Sequence, residues 1–424
     1  MSTRRPLYGW LTSEAVSLTG TRVSMLALPY FVLVTTDSPM KTGLVALAEM
    51  LPLVLLKVLG GPIIDRVGPR RVSISCDLGS MLVVGAIPLL YAAGLLPFGA
   101  FLALVACAGA LRGPGDAAKS SIVPSVVEAA RVPLERATGL HSTVERTASM
   151  LGAVFAGGLI AVIGAANALV VDAVSFGVSA AILGWATTSL RRPAADDAET
   201  EADTTPYLAQ LRQGWDFLRG DRVLVGIAVM VALTNLLDVA YASVLMPVWA
   251  REWGGGPAAL GVVFGVFGGT AAVGAICAAA WAVKLPRYKT YLVAFLVCGS
   301  PRFFVMAWDN PLWLVLLVAA VSGFGSGFIN PVLGAVTYER IPKHLIGRVS
   351  SLTTALCFSL IPLGGLLGGA LVTGFGLTVA MLACGAAYFL VTMLPAADPK
   401  WREMDHRPVA ASPQEDAEPS PVAG

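Results

Sequence analysis

Long apolar runs that follow one another along the chain constrain its fold more than any other feature. We count twelve runs, each of roughly the 20 residues that cross the hydrocarbon core of a bilayer. Of the 424 residues, 56% are hydrophobic and only 13% are charged, which is too apolar for a soluble surface. The sequence therefore predicts an all-α integral membrane protein with twelve transmembrane helices. The runs lie at about 10–36, 42–64, 72–94, 97–123, 137–164, 166–190, 222–250, 258–283, 289–308, 312–337, 350–375 and 377–396.

The runs form two groups of six, separated by a charged segment. We predict an N-terminal six-helix bundle at 1–192 and a C-terminal six-helix bundle at 222–397. The segment between them, 193–221, is predicted to be a cytoplasmic linker that ends in an amphipathic helix. The polar, proline-rich segment 398–424 is predicted to be a disordered cytoplasmic tail. The helix in the linker is indicated by apolar residues at helical spacing: Leu208, Leu211, Trp215 and Leu218.

Basic residues are distributed unevenly between the two sides that these runs define. The segments on the side of the termini hold 21 of the 29 Lys and Arg residues, whereas the loops on the other side hold only Lys41 and Arg251. Because cytoplasmic loops carry the excess of basic residues, both termini are predicted to be cytoplasmic, in a plasma (inner) membrane protein. The net charge of +2 gives no basic surface for nucleic acid.

One short loop concentrates charge between the second and third runs. The stretch GGPIIDRVGPRR, residues 60–71, follows the pattern G-x-x-x-D-R-x-G-x-R-R. A charged turn at this place would fix topology even without any other role. The residues that carry the pattern are Gly61, Asp65, Arg66, Gly68, Arg70 and Arg71.

This pattern, its position and the arrangement in two sixes resemble the major facilitator superfamily. Three further stretches are similar to the branch of macrolide-efflux and enterobactin-exporter-like drug:proton antiporters. The resemblance implies a secondary transporter that exports a hydrophobic or amphipathic small molecule, such as a drug, an antibiotic or a siderophore-like metabolite. Export would proceed by alternating access, in exchange for protons. The three stretches are SLTGTRVSMLALP (17–29), LRGPGDAAKSSIVP (111–124) and NPVLGAVTYERIPKHLIGRVSSL (330–352).

The fifth run departs from the antiporter pattern of that family. The family has a Gly-Pro pair there, whereas this chain reads LGAVFAGGL (151–159), with Ala153 where the proline would fall. The pair Gly157 and Gly158 is retained.

The charged loop is interpreted as a conformational latch, formed by the six residues of its pattern. Gly61 would let the second span approach a neighbouring helix closely, because small residues permit tight packing in lipid. Asp65 would face the N-terminus of the eleventh span, near Val349, where the helix dipole favours an anion. Such contacts would form only when the cytoplasmic side is closed and would therefore favour one of two states.

Charged side chains inside the runs cost roughly 2.5–3.5 kcal/mol each, so each of them needs a partner, a water-filled cavity or a function. Arg22 lies roughly 18 Å along its run at about 1.5 Å per residue, near the middle of the bilayer. Glu49 is a plausible partner for it, and Asp238 has a comparable depth in the seventh run. A carboxylate beside an arginine and a cavity can gain and lose a proton as water access changes. Glu49 and Asp238 are therefore candidate proton carriers; the alternative is a static ion pair between helices.

Spans 1, 4, 7 and 10 line the cavity in the resembled family, which directs attention to polar and aromatic residues in these runs. Arg112 and Asp116 are four residues apart, but Gly113, Pro114 and Gly115 between them predict an irregular helix, so their pairing is not assumed. A gating or substrate-contact role and a topology-fixing role for Arg112 stay open. Asp77, Asp172 and Arg302 are interpreted as helix-to-helix pairs or support for the latch. The cavity and gating candidates are Arg22, Arg112, Asp116, Asn235, Tyr241, Phe324 and Asn330.

Several other classes of protein find no support in the sequence. No P-loop pattern for ATP occurs, and no clustered nucleophile and base point to an enzyme. We expect no cofactor and no metal, a small-molecule substrate and protons as partners, and a monomer. Uptake of a small metabolite, or a transport-inactive membrane sensor or scaffold, are the alternatives that the sequence leaves open.

Overall fold

The computed structural model describes residues 4–188, 207–281, 285–342 and 345–405, and it contains no β-strand within these ranges. The all-α class predicted from the sequence is confirmed for this part of the chain. A π-helical turn, Tyr241–Leu245, connects two of the helices, and 3₁₀ turns occupy Leu394–Ala397 and Pro399–Asp405. The α-helices are α1 (Arg5–Thr36), α2 (Pro39–Leu59), α3 (Gly61–Val67), α4 (Pro69–Ala92), α5 (Phe98–Ser121), α6 (Val123–Ala130), α7 (Leu134–Ile163), α8 (Ala165–Ala186), α9 (Tyr207–Gly220), α10 (Arg222–Ala240), α11 (Met246–Glu252), α12 (Pro257–Trp281), α13 (Arg287–Cys298), α14 (Ser300–Val305), α15 (Leu312–Arg340), α16 (Ile346–Phe358) and α17 (Ile361–Met393).

Ten segments of the described chain are helical, long enough and apolar enough to cross a membrane. Nine of them correspond one to one to predicted runs, and the tenth covers the last two runs together; the predicted run 289–308 has no counterpart among them. These segments are Arg5–Thr36, Pro39–Lys57, Pro69–Ala92, Phe98–Ala130, Arg136–Ile163, Ala165–Ala186, Arg222–Glu252, Pro257–Trp281, Leu312–Thr337 and Arg348–Met393.

Interruptions of the helical backbone distinguish the ninth run and the last two runs from the other predicted spans. The ninth is broken at Gly299, just before Pro301, into two pieces of 12 and 6 residues. The eleventh and twelfth are continuous in Arg348–Met393, but Gly376 inside this segment has φ 80° and ψ 169°, which is not helical. A positive φ is readily adopted by glycine alone, so Gly376 marks a change of chain direction at the predicted boundary.

Proline, serine and aspartate start several helices. Pro39 and Pro69 occupy the first turns of α2 and α4, where a missing N–H is harmless. The hydroxyl of Ser38 accepts a hydrogen bond from the Lys41 amide, and the carboxylate of Asp221 accepts from the amides of Val223 and Leu224. These side chains satisfy backbone donors that a helix start leaves open.

The helices form two halves, α1–α8 and α10–α17. In the first half, α1 packs against α7 and α8, and α5 packs against α2 and α4. In the second half, α12 and α13 pack against α15, and α10 packs against α17. The halves meet along two helix pairs, α2 with α17 and α7 with α12.

We name the two faces of the molecule by topology. The basic face is the one where α1 begins and the 60–71 loop lies; the opposite face is the one where α1 ends and α2 begins. Near the opposite face, Gly43 of α2 lies against the backbone of Gly365 in α17, and Gly157 of α7 lies against Gly261 of α12. Arg251 also donates across the halves to Asp37 at 2.5 Å. The halves are therefore closed at the opposite face.

Two segments at the basic face are packed onto the second half. The predicted linker helix is present as α9, and its Leu218 is buried in a cluster with Leu224, Leu345 and Val349. The side chains of Leu208 and Leu211 lie outside the described residues. The described part of α9 thus packs against protein, through contacts with α10 and α16.

The prediction of a disordered tail from residue 398 is wrong for its first part. Pro399–Asp405 forms a 3₁₀ turn in which Trp401 and Met404 are buried. The ring of Trp401 lies 5.5 Å from that of Tyr291, so apolar burial holds this piece in place. Residues 406–424 of the predicted tail lie outside the described residues.

Candidate functional site

A cavity of about 400 Å³ lies between the two halves, beneath their contact at the opposite face. Helices α1, α2 and α7 form one wall, and α10, α12 and the π-helical turn form the other. Three charged residues, Arg22, Glu49 and Asp238, reach a lining that is otherwise mostly apolar. The lining residues are Arg22, Met25, Leu26, Pro29, Val45, Ala46, Glu49, Met50, Ser149, Ala153, Asp238, Val239, Ala242, Ser243, Phe264, Phe267 and Gly268.

Arg22 reaches this cavity as predicted, but the partner suggested for it is wrong. Its guanidinium donates to Ser149 Oγ at 2.7 Å and approaches the Met25 sulfur at 3.5 Å. Its Nε is buried without an acceptor among the described residues. Neither Glu49 nor Asp238 pairs with it, because each of these carboxylates faces a different arginine.

Glu49 pairs with Arg112, whose Nη1 lies 3.2 Å from the Glu49 carboxylate. The pair connects α2 with α5, and Glu49 is buried while Arg112 is partly exposed. Arg112 also lies 3.9 Å from Asp116, one turn along α5. The irregular helix predicted here is not present: α5 is continuous through Pro114, so the spacing of four residues does bring the two charges together.

Asp238 pairs with Arg302 of α14, within the second half. The Asp238 side chain is 40% exposed, whereas that of Arg302 is 11% exposed, so the carboxylate is the member that faces the cavity. The guanidinium lies over the rings of Tyr241, Phe303 and Tyr388, at 4.8–5.2 Å from their centroids. Aromatic faces attract a desolvated cation, so this cage holds Arg302 in place. The interpretation of Arg302 as a member of a helix-to-helix pair agrees with this geometry.

A second, much smaller cavity of about 20 Å³ lies inside the first half. Glu49 lines it as well as the large cavity, and Arg112 and Asp172 are the other charged residues on its wall. Its lining residues are Thr21, Ser24, Leu28, Glu49, Ser80, Val84, Ala108, Arg112, Asp172 and Phe176.

Six of the seven predicted cavity and gating residues do not line the large cavity: Arg112 and Asp116, described above, and four others. Tyr241 is turned into the second half, where its hydroxyl contacts the sulfur of Met306 at 3.3 Å. Asn235 donates to the carbonyl oxygen of Cys357 in α16 at 2.9 Å. Phe324 lines a groove between α13 and α15, and Asn330 is exposed. Of the four spans that the resemblance places at the cavity, only α1 and α10, with the π-helical turn, contribute to its lining, whereas α5 and α15 contribute no residue.

The predicted latch lies on the basic face, and its described contacts stay within the first half. Arg70 donates to Thr187 Oγ1 and to the carbonyl oxygen of Gly184, both at 2.9 Å and both in or next to α8. Asp65, Arg66 and Arg71 are exposed, and none of them forms a salt bridge with another described residue. The structure therefore shows no contact of Asp65 with the start of α16.

The role given to Gly61 is wrong in this structure. A Cβ placed on Gly61 would meet open space, whereas one on the preceding Gly60 would lie 3.4 Å from the Cβ of Pro114 in α5. The close approach of α2 and α5 depends instead on Gly109 and Gly113 of α5, where a Cβ would lie 2.1 Å from the carbonyl oxygen of Glu49 and 2.5 Å from that of Leu53. Gly68 has φ 94° between α3 and α4, a backbone conformation that favours glycine.

The sequence analysis gave little weight to two sets of charged side chains that the structure buries: the pair Asp77 and Lys119, and Asp172 alone. Asp77 and Lys119 pair at 3.0 Å, both almost fully buried, with Ser17 and Ser179 as further partners. Asp172 is buried beside the small cavity. The available signal was their depth inside apolar runs, where charge is costly. No group of three His, Cys, Asp or Glu side chains in the described ranges is placed to hold a metal.

Comparisons with known proteins agree with this architecture. Residues 6–420 match the family described as transmembrane secretion effector. The multidrug efflux pump Tap of Mycobacterium tuberculosis is 29% identical over 412 residues, which cover 96% of this chain and 97% of the pump. The pump Tap of Mycolicibacterium fortuitum is 30% identical over 409 residues, with 95% and 98% covered.

Solved structures show the same fold at low sequence identity. The nucleoside transporter NupG superposes with a TM-score of 0.75 at 10% identity, covering 92% of this chain and 98% of that protein. A bacterial homologue of the iron transporter ferroportin, in an inward-facing state, superposes with a TM-score of 0.70 at 14% identity, covering 95% and 100%. The chain therefore belongs to the transmembrane secretion effector family of the major facilitator superfamily, and it is a transporter and not an enzyme.

Proposed function

We propose that this protein is a secondary active transporter that exports a hydrophobic or amphipathic small molecule by alternating access, in exchange for protons. The observation that carries the proposal is the cavity of about 400 Å³ between the two halves, with three charged residues on an apolar wall. The similarity to multidrug efflux pumps supports export of a drug-like compound.

The cavity has the size and chemistry of a site for a small organic molecule. Pockets of this kind hold roughly 300–1,000 Å³ and combine apolar walls with a few polar groups that set orientation. Met25, Phe264 and Phe267 supply adaptable and aromatic surface, while Arg22 and Ser149 supply hydrogen-bond donors. This lining favours an amphipathic compound over a sugar or an inorganic ion.

We propose that the chain crosses the membrane twelve times, with both termini in the cytoplasm. The ninth crossing would be formed by α13 and α14 together, and the last two by the pieces on either side of Gly376. The excess of basic residues on the side of the termini supports the orientation. With twelve crossings, each half is a complete six-helix bundle. Neither half needs a second chain to complete it, which supports a monomer.

The arrangement of the halves fits a transporter that is open to the cytoplasm. The opposite face is closed by the contacts of Gly43 with Gly365 and of Gly157 with Gly261. On the basic face, α3 packs within the first half and α16 packs within the second. Closing this face would bring the latch residue Asp65 towards the start of α16, which is the contact that we assign to the other state.

Proton exchange would supply enough free energy for export. At a proton-motive force of about 150 mV, one proton provides about 3.5 kcal/mol, which supports a concentration ratio of about 300-fold. Glu49 and Asp238 both reach the large cavity, where a carboxylate can exchange a proton with water on the open side. Each is paired with an arginine, so its charge is balanced when the proton has left.

The experiment that tests the proposal measures pH inside proteoliposomes while lipophilic antibiotics and siderophores are added one at a time. We expect wild-type protein to move protons with at least one compound. Glu49→Gln should reduce this movement at least about tenfold, because an amide cannot carry the proton. Asp309→Asn, an exposed acid near the opposite face, is the matched control and should behave as wild type. Compound binding without any proton movement would contradict antiport.

A second prediction concerns the latch. Asp65→Asn should leave expression intact and reduce transport at least about fivefold, since contacts that bias a two-state equilibrium typically contribute 1–3 kcal/mol. Asp216→Asn, an exposed acid of α9 near the same face, is the control and should keep wild-type transport. Unchanged transport by Asp65→Asn would remove the latch from the mechanism.

A further inference from the structure

Asp172 of α8 is a buried carboxyl group without a cationic partner. Only 1% of the residue is exposed. Its carboxylate oxygens accept hydrogen bonds from two hydroxyls, those of Ser24 in α1 and of Ser175 at 3.3 Å in its own helix. Within the described chain, no Lys, Arg or His nitrogen lies within salt-bridge distance of it. Asp77, which is equally buried, differs because Lys119 neutralises it at 3.0 Å.

A charged carboxylate without a cationic partner is energetically unfavourable at this buried position, whereas the neutral acid is not. Burial of an isolated charge costs several kcal/mol, and hydroxyl donors offset only part of this. The helix packing keeps solvent out on the side of α1, because a Cβ on Gly20 would lie 2.6 Å from the Asp172 Oδ1. The surroundings therefore suit a group that holds a proton.

The small cavity beside Asp172 offers a path for that proton. Its volume of about 20 Å³ is sufficient for one water molecule, which needs about 10–15 Å³ and several polar partners. The groups that face it from the packed helices are Thr21 and Ser24 of α1, Glu49 of α2, Ser80 of α4 and Arg112 of α5. Apart from Asp172 itself, the rest of the lining is apolar, so a water there would have its hydrogen-bond partners among these few polar groups.

Glu49 connects this small cavity with the large one. It lines both, and it is the only charged residue that the two linings share. Arg112 holds the Glu49 carboxylate at 3.2 Å and faces the small cavity itself. A proton taken up by Glu49 from the large cavity therefore has a short polar route to Asp172.

We propose that Asp172 holds the exchanged proton and that Glu49 passes it between Asp172 and the large cavity through one water molecule. Glu49 takes a proton from solvent in the large cavity and donates it to the water, and the water donates one of its own protons to the Asp172 carboxylate. Release is the reverse sequence, and Arg112 stays charged throughout. This inference rests on the proposed proton exchange and names the residue that stores the proton.

The test reads the proton on Asp172 directly, without any substrate. Infrared difference spectra of purified protein in lipid, recorded between acid and neutral pH, report the carbonyl stretch of protonated carboxylic acids. We expect a buried-acid band in wild type that is absent from Asp172→Asn and present in Asp309→Asn, an exposed acid near the opposite face that serves as control. Persistence of the band in Asp172→Asn would overturn the proposal.

The rate of hydrogen exchange at the Asp172 carboxyl group tests the role of Glu49 separately. In Glu49→Gln the band should remain, but its shift on transfer to D₂O should be slower by at least about tenfold, since a positioned carboxyl accelerates proton transfer by 10²–10⁴. An unchanged exchange rate would remove Glu49 from the route.

If Asp172→Asn does not fold, Ser24→Ala removes one hydrogen bond to the acid and should shift the band; an unshifted band would then overturn the assignment.

Transport measurements separate this inference from the proposed function. Asp172→Asn should lose accumulation driven by a pH gradient by at least about tenfold. It should keep substrate exchange at equal pH within about twofold, because that mode needs no net proton transfer. Equal loss of both modes would assign Asp172 a structural role only. Absence of substrate-dependent proton movement in wild type would refute the antiport itself and leave the infrared result standing.

Discussion

Replacing Gly157 by valine is expected to abolish transport while each half of the protein still folds. A Cβ at this position would lie 2.6 Å from the Cα of Gly261 and 2.8 Å from the carbonyl oxygen of Pro257. These are backbone atoms of α12, in the other half, and they cannot move aside as a flexible side chain can. The halves would be held apart at the opposite face, and the state with that face closed would be lost.

Overpacking costs about 1–3 kcal/mol, and each factor of ten requires about 1.4 kcal/mol. Because the clash is with backbone atoms, we expect a cost near the upper end of this range and a loss of transport of about 100-fold. Gly158→Val is the matched control, because a Cβ on the neighbouring Gly158 meets open space. Transport into proteoliposomes and thermal unfolding in detergent should be measured for both variants. Wild-type transport by Gly157→Val, or an equal loss by Gly158→Val, would show that this contact does not control access.

Asp238→Asn is expected to destabilise the protein strongly. Removing one member of a buried ion pair typically costs about 3–5 kcal/mol, because the other charge stays buried without compensation. Arg302 is the buried member here, at 11% exposure, whereas Asp238 is 40% exposed, which places the expected cost at the lower end of that range. Arg302 would remain enclosed by Tyr241, Phe303 and Tyr388, which attract the cation but do not neutralise it. The free energy of unfolding should therefore fall by several kcal/mol, and the yield of folded protein should fall with it.

The double variant Asp238→Asn with Arg302→Gln provides the decisive comparison. It removes both charges, so most of the lost stability should return. Asp116→Asn is the control, because Arg112 keeps Glu49 as its partner at 3.2 Å when that acid is lost, and it should cost about 1 kcal/mol or less. A single variant with wild-type thermal stability and impaired proton movement would contradict a structural pair and support Asp238 as a proton carrier.

Most of the helical framework could be predicted from the sequence. Apolar length reports burial in a bilayer directly, so the first eight runs reappear as separate helical segments. The boundary between the last two runs coincides with Gly376, where the backbone leaves the helical conformation. The charged loop at 60–71, together with the arrangement of the runs in two sixes, indicated the superfamily, because residue type, spacing and position agree there.

Partners of the buried charges could not be predicted in the same way. Depth along a span follows from counting residues, and by depth Arg22, Glu49 and Asp238 appeared comparable. Each residue turns the helix by about 100°, so the direction of a side chain depends on the rotation of the whole helix within the bundle. That rotation is set by packing, and it turned Glu49 towards Arg112 and Asp238 towards Arg302.

The sequence by itself determined that this chain is a helical membrane protein of two halves, because lipid requires about 20 apolar residues for each crossing and strictly limits where charge can occur. Only the tertiary structure decided which glycines close the opposite face, which arginine each acid meets, and that Asp172 is left without a cation. These are contacts between helices distant in the chain. They depend on how rigid helices fit against one another, which no local pattern of residues records.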